Sequence, residues 1–208
     1  MNNYLNEIRK RGRNLLIVEG KHEKNKLFSL ILKCFPEINI DIDDVWIYRT
    51  NIYQLYDNIV DKYGADWAEE NIDIDLPFVI SKKQQRSPLC YKEDFINIIL
   101  VFDYERHDTY FSEKKILDMQ KCFNDAADMG KLYINYPMIE SYLHLRALPD
   151  NEYYERKIPV SLKPGKKYKS LVDKETAIGK LFGFSFKIRE KDFKVSIKRL
   201  DDKVWICS

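Results

Sequence analysis

The chain has 208 residues, is 45% hydrophobic and 33% charged, and carries a formal net charge of +2. That length holds one α/β core with room for a small appendage, and so slight a charge leaves any nucleic-acid affinity to local clusters. No apolar run approaches the roughly 18 residues of a membrane-spanning helix, Met1–Glu7 lacks a signal-peptide core, and the four cysteines form no C-x-x-C pair, so a cytoplasmic chain without disulfides, zinc cluster or membrane contact is expected.

Residues 1–13 read as a short polar helix or arm that ends in Arg9, Lys10, Arg11 and Arg13. Leu15-Leu16-Ile17-Val18 then runs into the carboxylate of Glu19. An apolar run this short, followed at once by helical spacing, predicts a buried parallel strand feeding a helix. In that helix Leu27, Leu30, Ile31, Cys34 and Phe35 share one face, and Pro36 lies just past the end. Val45–Tyr48 is the next strand. Asn51 is placed to cap a second helix whose face is Ile52, Leu55, Tyr56, Ile59 and Tyr63, with Gly64 as its stop.

Residues 65–94 pass from an acidic half (Asp66, Glu69, Glu70, Asp73, Asp75) to a basic half (Lys82, Lys83, Arg86). The stretch is too long to be a bare connection, so an insertion element is expected, a lid being one form it can take. Phe95–Phe102 is the strongest strand signal and ends in Asp103-Tyr104-Glu105-Arg106-His107-Asp108. Ser112 is placed to cap a third helix with Ile116, Met119, Phe123 and Ala127 on its buried side and Gly130 at its end; Leu132–Asn135 makes a fourth strand. This alternation predicts an α/β core over residues 1–145, with a central, mainly parallel four-stranded sheet flanked by helices. Residues 146–208 are expected as a C-terminal extension packed on that core: a basic loop at Lys163–Lys169, a helix from Ser170 to Phe182, and a helix or hairpin between Phe184 and Leu200.

Two of these strands end in acids, Glu19 on one and Asp103 with Glu105 on the other. Residues two apart on an extended segment project to the same side, so Asp103 and Glu105 can face one ion, and neighbouring strands would bring Glu19 to it. Carboxylates that close repel, and a hard divalent cation with oxygen ligands relieves the repulsion. Mg²⁺ or Mn²⁺ held this way suits displacement at a phosphodiester. An acid at a strand end also serves as an ordinary helix cap; two acid-terminated strands in one chain favour the shared site. Lys21 and His22 flank the site at a helix start, where free backbone N–H groups favour phosphate. His107 can position a water or touch a scissile phosphate. Lys166 and Lys167 in the basic loop can track a nucleic-acid backbone, with Tyr168 available to stack on a base. Neither G-x-x-x-x-G-K-[ST], G-x-G-x-x-G nor G-x-S-x-G occurs, which argues against P-loop ATP hydrolysis, dinucleotide binding and α/β-hydrolase chemistry.

Ile17-Val18-Glu19-Gly20-Lys21-His22-Glu23, taken with Phe102-Asp103-Tyr104-Glu105, resembles the TOPRIM domain, which has a Glu-Gly after its first strand and an Asp-x-Asp after its third. Asn135-Tyr136-Pro137-Met138-Ile139-Glu140-Ser141-Tyr142 is similar to the Asn-Pro-x-x-Glu-x-aromatic signature of the OLD-like and RloB-like branch, with Tyr136 as an extra residue. The resemblance covers about residues 14–145 and implies a TOPRIM-like, Rossmann-like core and a metal-dependent nuclease acting on DNA or RNA, tRNA included. It implies that Glu19 is the invariant glutamate, Glu23 the acid one turn on, and Asp103 the first acid of the pair. Glu105 stands where an Asp is usual, and its longer side chain leaves metal geometry less constrained, with Asp108 as a substitute ligand. Glu140 is a further ligand candidate or a cap for the helix after it. Members of that branch work beside an ABC-type ATPase in defence against phage, so such a partner is implied as well. A homodimer is compatible with the exposed helices. Two rivals stand beside this reading: a docking module whose acids are structural, and a phosphatase or nucleotidyl transferase using the same acidic edge.

Overall fold

The computed structural model of the protein describes residues 12–136, residues 138, 140, 141, 144, 146, 150–155 and 157, and the stretches 166–175, 199–200 and 204–205. The N-terminal arm up to residue 11, the 163–165 end of the basic loop, and residues 176–198 lie outside the described residues. The chain divides into two compact units, residues 1–102 with 112–133 and residues 103–111 with 134–208.

One five-stranded sheet has the order β2-β1-β3-β5-β4. β1 (Asn14–Val18) pairs in parallel with β2 (Val45–Ile47) and, on its other side, with β3 (Asn97–Asp103). Leu15, Leu16, Ile17 and Val18 are all buried, as are Leu100, Val101 and Phe102. Strands with no solvated face lose the apolar–polar alternation of an amphipathic strand, which is why both segments read as unbroken apolar runs. β5 (Gly130–Asn135) lies beside β3, and β4 (Asn124–Asp125) pairs antiparallel to β5 at the edge. The sheet is therefore five-stranded and mostly parallel where four strands were expected. β4 has two residues, too few to carry any periodicity.

The helices follow their signals closely where caps are strong. A π-helical turn at Glu23–Phe28 leads into α1 (Ser29–Cys34). α2 (Ile52–Tyr63) is capped by the Asn51 side chain, which accepts from the Gln54 N–H at 3.0 Å, and ends at Gly64 with φ +95°. α4 (Glu113–Cys122) follows α3 (Leu76–Lys83), and α2 packs against both. α3 is the element hidden in the 65–94 stretch. Asp75 caps it, and Leu76, Val79 and Ile80 are buried in the first unit together with Trp67 and Ile74. α4 stops at Cys122, earlier than its apolar spacing suggested, so Ala127 is exposed in the turn before β5 and does not line the helix face.

In the second unit α5 runs from Lys166 to Glu175. It begins inside the stretch expected to be a basic loop. Tyr168, expected to be free for stacking, is buried with Met138 and Val172, and the partly buried Leu171 packs against them. A Tyr four residues before Val172 on a helix shares its buried face, and burial of the ring outweighs exposure. Glu175 accepts from Arg146 at 2.6 Å and lies 3.1 Å from His144 Nε2. The Arg146 guanidinium, with a smaller contribution from His144, holds the Glu175 carboxyl below its usual range. β6 (Arg199–Leu200) and β7 (Val204–Trp205) form a small antiparallel ladder, β6 lying at the end of the segment read as helix or hairpin. Among the described residues no helix is long and apolar enough to cross a membrane.

Gly130 shows how tightly β5 is seated. Its φ is +126°, and a Cβ there would lie 2.9 Å from Leu100 Cδ1 and 3.2 Å from Ile98 Cγ2. A Cβ at Gly64, also at positive φ, would meet nothing within 4 Å. Gly64→Ala should cost about 1–2 kcal/mol from backbone strain alone, and Gly130→Ala about 1–3 kcal/mol more from overpacking. Urea unfolding of the two variants side by side measures the difference.

Candidate metal centre

The parallel ladder between β1 and β3 sets the site. Val18 is level with Val101, so the residue after β1, Glu19, comes level with Phe102, and Asp103 is one step further on. Glu19 is half-buried just past the strand, and its carbonyl accepts from the Arg49 N–H at 2.8 Å. Asp103 is buried, and its Oδ1 accepts from the Asn135 amide at 3.1 Å. The backbone repeats this link, with the Tyr104 N–H donating to the Asn135 carbonyl at 3.0 Å. The chain then turns sharply, and Glu105 adopts a left-handed conformation with φ +35°. Non-glycine residues held there carry strain of about 1–3 kcal/mol and concentrate at functional sites.

Glu19, Asp103 and Glu105 each bring one carboxylate oxygen to within 4.8 Å of the others. Three acids this close repel when ionised, and a hard cation accepting oxygen ligands is the counter-charge that relieves them. Glu23 lies outside that group but is buried, its Oε2 has no hydrogen-bond partner, and a Cβ on Gly20 would lie 2.9 Å from that oxygen. Gly20 thus leaves the space this carboxylate occupies. An orphaned buried carboxylate oxygen costs several kcal/mol, on the order of other unpaired buried charges; a cation or its hydration water supplies the missing partner. Glu23 opens the π-helical turn, a distortion often found at functional sites because it re-aims side chains. The residues present therefore fit Mg²⁺ or Mn²⁺: oxygen donors only, more than one carboxylate, and no sulfur or imidazole among the converging atoms.

The other expected site residues fall elsewhere. Asp108 accepts from the Tyr110 N–H at 2.7 Å, and its own N–H donates to the Glu105 carbonyl at 2.9 Å, so it shapes the turn behind Glu105 and does not join the converging group. His107 is exposed on that turn and also lies outside the group. Lys21 is exposed; His22 is half-buried and its Nε2 lacks a partner. Glu140 is buried, pairs with Lys169 Nζ at 2.6 Å through Oε1, and leaves Oε2 without a partner. Lys166 and Lys167 are exposed in the first turn of α5. Asn135 belongs to a motif read from the sequence, yet its contact with Asp103 was not foreseen. It ends β5 as Asp103 ends β3, and that shared ending was the available signal. No protein-family model, no curated protein and no solved structure matches the chain.

A structural role and a metal-holding role for Glu19 separate in one calorimetric comparison. Without metal, Glu19→Gln should raise the melting temperature by roughly 2–4 °C, because about 1 kcal/mol of like-charge repulsion is removed. With Mn²⁺ at about a hundred times its Kd, the wild type should gain about 2.7 kcal/mol, and the variant far less. An equal Mn²⁺ response in both would show that Glu19 holds no metal.

Proposed function

We propose that this protein is a divalent-cation-dependent nuclease of the TOPRIM type, hydrolysing phosphodiester bonds of DNA or RNA. The observation that carries the reading is the convergence of Glu19, Asp103 and Glu105 within 4.8 Å of one another at the carboxyl ends of β1 and β3. Open α/β sheets place their ligands at that edge. Glu19, Asp103 and Glu105 would hold Mg²⁺ or Mn²⁺, with Glu23 as a further oxygen donor one turn from Glu19. When bound, the cation supplies charge neutralisation to the phosphodiester and makes water a stronger acid.

The chain's own groups do the positioning. Asn135 Nδ2 donates to one oxygen of Asp103, the kind of outer hydrogen bond that orients a metal-binding carboxylate. The turn of Asp108 onto the Tyr110 and Glu105 backbone keeps Glu105 in its left-handed conformation. Hydrolysis adds a water oxygen to phosphorus, breaks one P–O ester bond and passes a proton to the departing alcohol. His107, exposed two residues past Glu105 and outside the converging carboxylates, would be the imidazole that carries that proton. The resemblance to the OLD-like and RloB-like branch extends this reading to a partner, a separate ABC-type ATPase in the setting of a phage-defence effector, and this sequence has no P-loop motif of its own.

The test uses purified full-length protein with Mn²⁺ on supercoiled DNA, single-stranded RNA and tRNA. Wild type should nick or degrade at least one of them. Glu19→Gln and Asp103→Asn should each lower the rate by about a hundredfold or more. Cleavage that survives both substitutions sinks the assignment. A wild type inert on every substrate, with and without an ATPase partner, would leave a docking module as the function.

A further inference from the structure

The basic half of the 65–94 stretch has no role in holding a cation, and its placement is informative. Arg49 follows β2, is exposed, and takes a left-handed backbone conformation with φ +77° while its N–H donates to the Glu19 carbonyl at 2.8 Å. Arg86 lays its guanidinium over the Trp46 ring, 3.9 Å from the centroid. Its Nε donates to Gln84 Oε1 at 2.9 Å, and Gln84 Nε2 in turn donates to the Ile47 carbonyl at 2.8 Å, fixing the loop to the edge strand β2. Lys83, exposed at the end of α3, lies over the Tyr48 ring at 5.1 Å and donates to its hydroxyl at 3.3 Å. Two cations are thus stacked on successive aromatic residues of β2 and its exit, and a third sits at the residue bonded to Glu19.

These cations lack the counter-charges that several other basic residues of the same unit have. Arg13 pairs with Asp44, Lys92 with Asp73, Lys115 with Asp57 and Lys114 with Asp118. Among the described residues no carboxylate forms a salt bridge with Arg49, Lys83 or Arg86; Asp61 reaches Lys83 only through its field. Partial desolvation lowers the affinity of both Lys83 and Arg86 for their protons; at Arg86 the Cys90 sulfur acts against this and the like charge of Arg49 adds to it. The arrangement is rigid as well as uncompensated. An arginine with one face on an indole and its Nε engaged keeps its remaining in-plane donors in a fixed fork, the geometry that suits a phosphate group.

We infer that Arg49, Lys83 and Arg86 form a docking surface for the phosphodiester backbone of a nucleic-acid strand, leading along β2 to Glu19. Uncompensated cations spaced along one strand edge match a repeating anion, and contacts to the backbone give affinity without sequence preference. Calling the bound strand a substrate rests on the nuclease reading; the docking itself does not.

Binding is therefore measured without catalysis, by fluorescence anisotropy of a labelled single-stranded oligonucleotide on the full chain in EDTA. Combining Arg49→Asn, Lys83→Gln and Arg86→Gln should weaken binding by about tenfold or more whatever the base sequence, and should flatten the salt dependence by about 2 log units per log unit of salt. A second variant with only Arg49→Asn and Lys83→Glu leaves the Arg86–Trp46 stack in place, and should lose affinity in the same sense while keeping the wild-type melting temperature. Wild-type affinity in both variants would overturn the proposal, as would a wild type that ignores the oligonucleotide or binds polyglutamate as tightly. Loss of binding in the variants of a wild type that never cleaves would uphold the docking surface and remove the nuclease reading alone.

Discussion

The parallel register of β1 against β3 is the constraint on which the rest of the structure depends. Leu15 through Val18 and Leu100 through Phe102 are buried on both faces, so a slip of one strand against the other would draw a flanking polar residue such as Asn14 or Glu19 into the apolar layer. With Val18 locked level with Val101, the first residues free to be polar are those that close each strand or follow it. Those residues are Glu19 on one strand and Asp103 with Glu105 on the other. Acids are brought together because the hydrophobic effect aligns the segments before them, and no attraction between the acids is needed.

That arrangement has a cost, and its surroundings are built around it. Asp103 sits buried and is steadied by Asn135, while Glu105 is held in a left-handed turn by backbone and Asp108 hydrogen bonds. Gly20 contributes by lacking a side chain, which lets the Glu23 carboxylate sit where a Cβ would collide with it. The negative edge is bordered by Arg49, whose backbone N–H already belongs to the Glu19 carbonyl. A site with acids able to hold a cation and basic residues able to hold phosphates has both halves of the charge pattern that phosphodiester chemistry uses.

Elements with strong local signals were legible in advance, and weak ones were not. α2 has a capping Asn51, a continuous apolar stripe and a terminal Gly64, and it begins and ends where those residues place it. α3 was hidden because its surroundings are dominated by charge, and because Pro77 in its first turn reads as a breaker although that is a position where proline is tolerated. β4 is too short for any pattern. Tyr168 was misplaced for a different reason: in the sequence it sits among Lys166, Lys167 and Lys169, and only its α5 spacing to Val172 draws it inward. In the site, Glu19, Asp103 and Glu105 were readable as acids closing apolar runs. The Asn135–Asp103 bond and the Trp46–Arg86 stack were not, since each joins residues far apart in the chain, 32 positions in the first case.

The sequence alone determined the alternation of buried strands and amphipathic helices, and which strands end in acids, because burial and periodicity are local properties of a segment. Only the tertiary structure decided that β1 and β3 are neighbours, that their register brings three carboxylates within 4.8 Å of one another, and that Asp108 and His107 are left out. Strand order comes from how whole faces pack together, and a distance between residues so remote in the chain has no trace in either segment by itself.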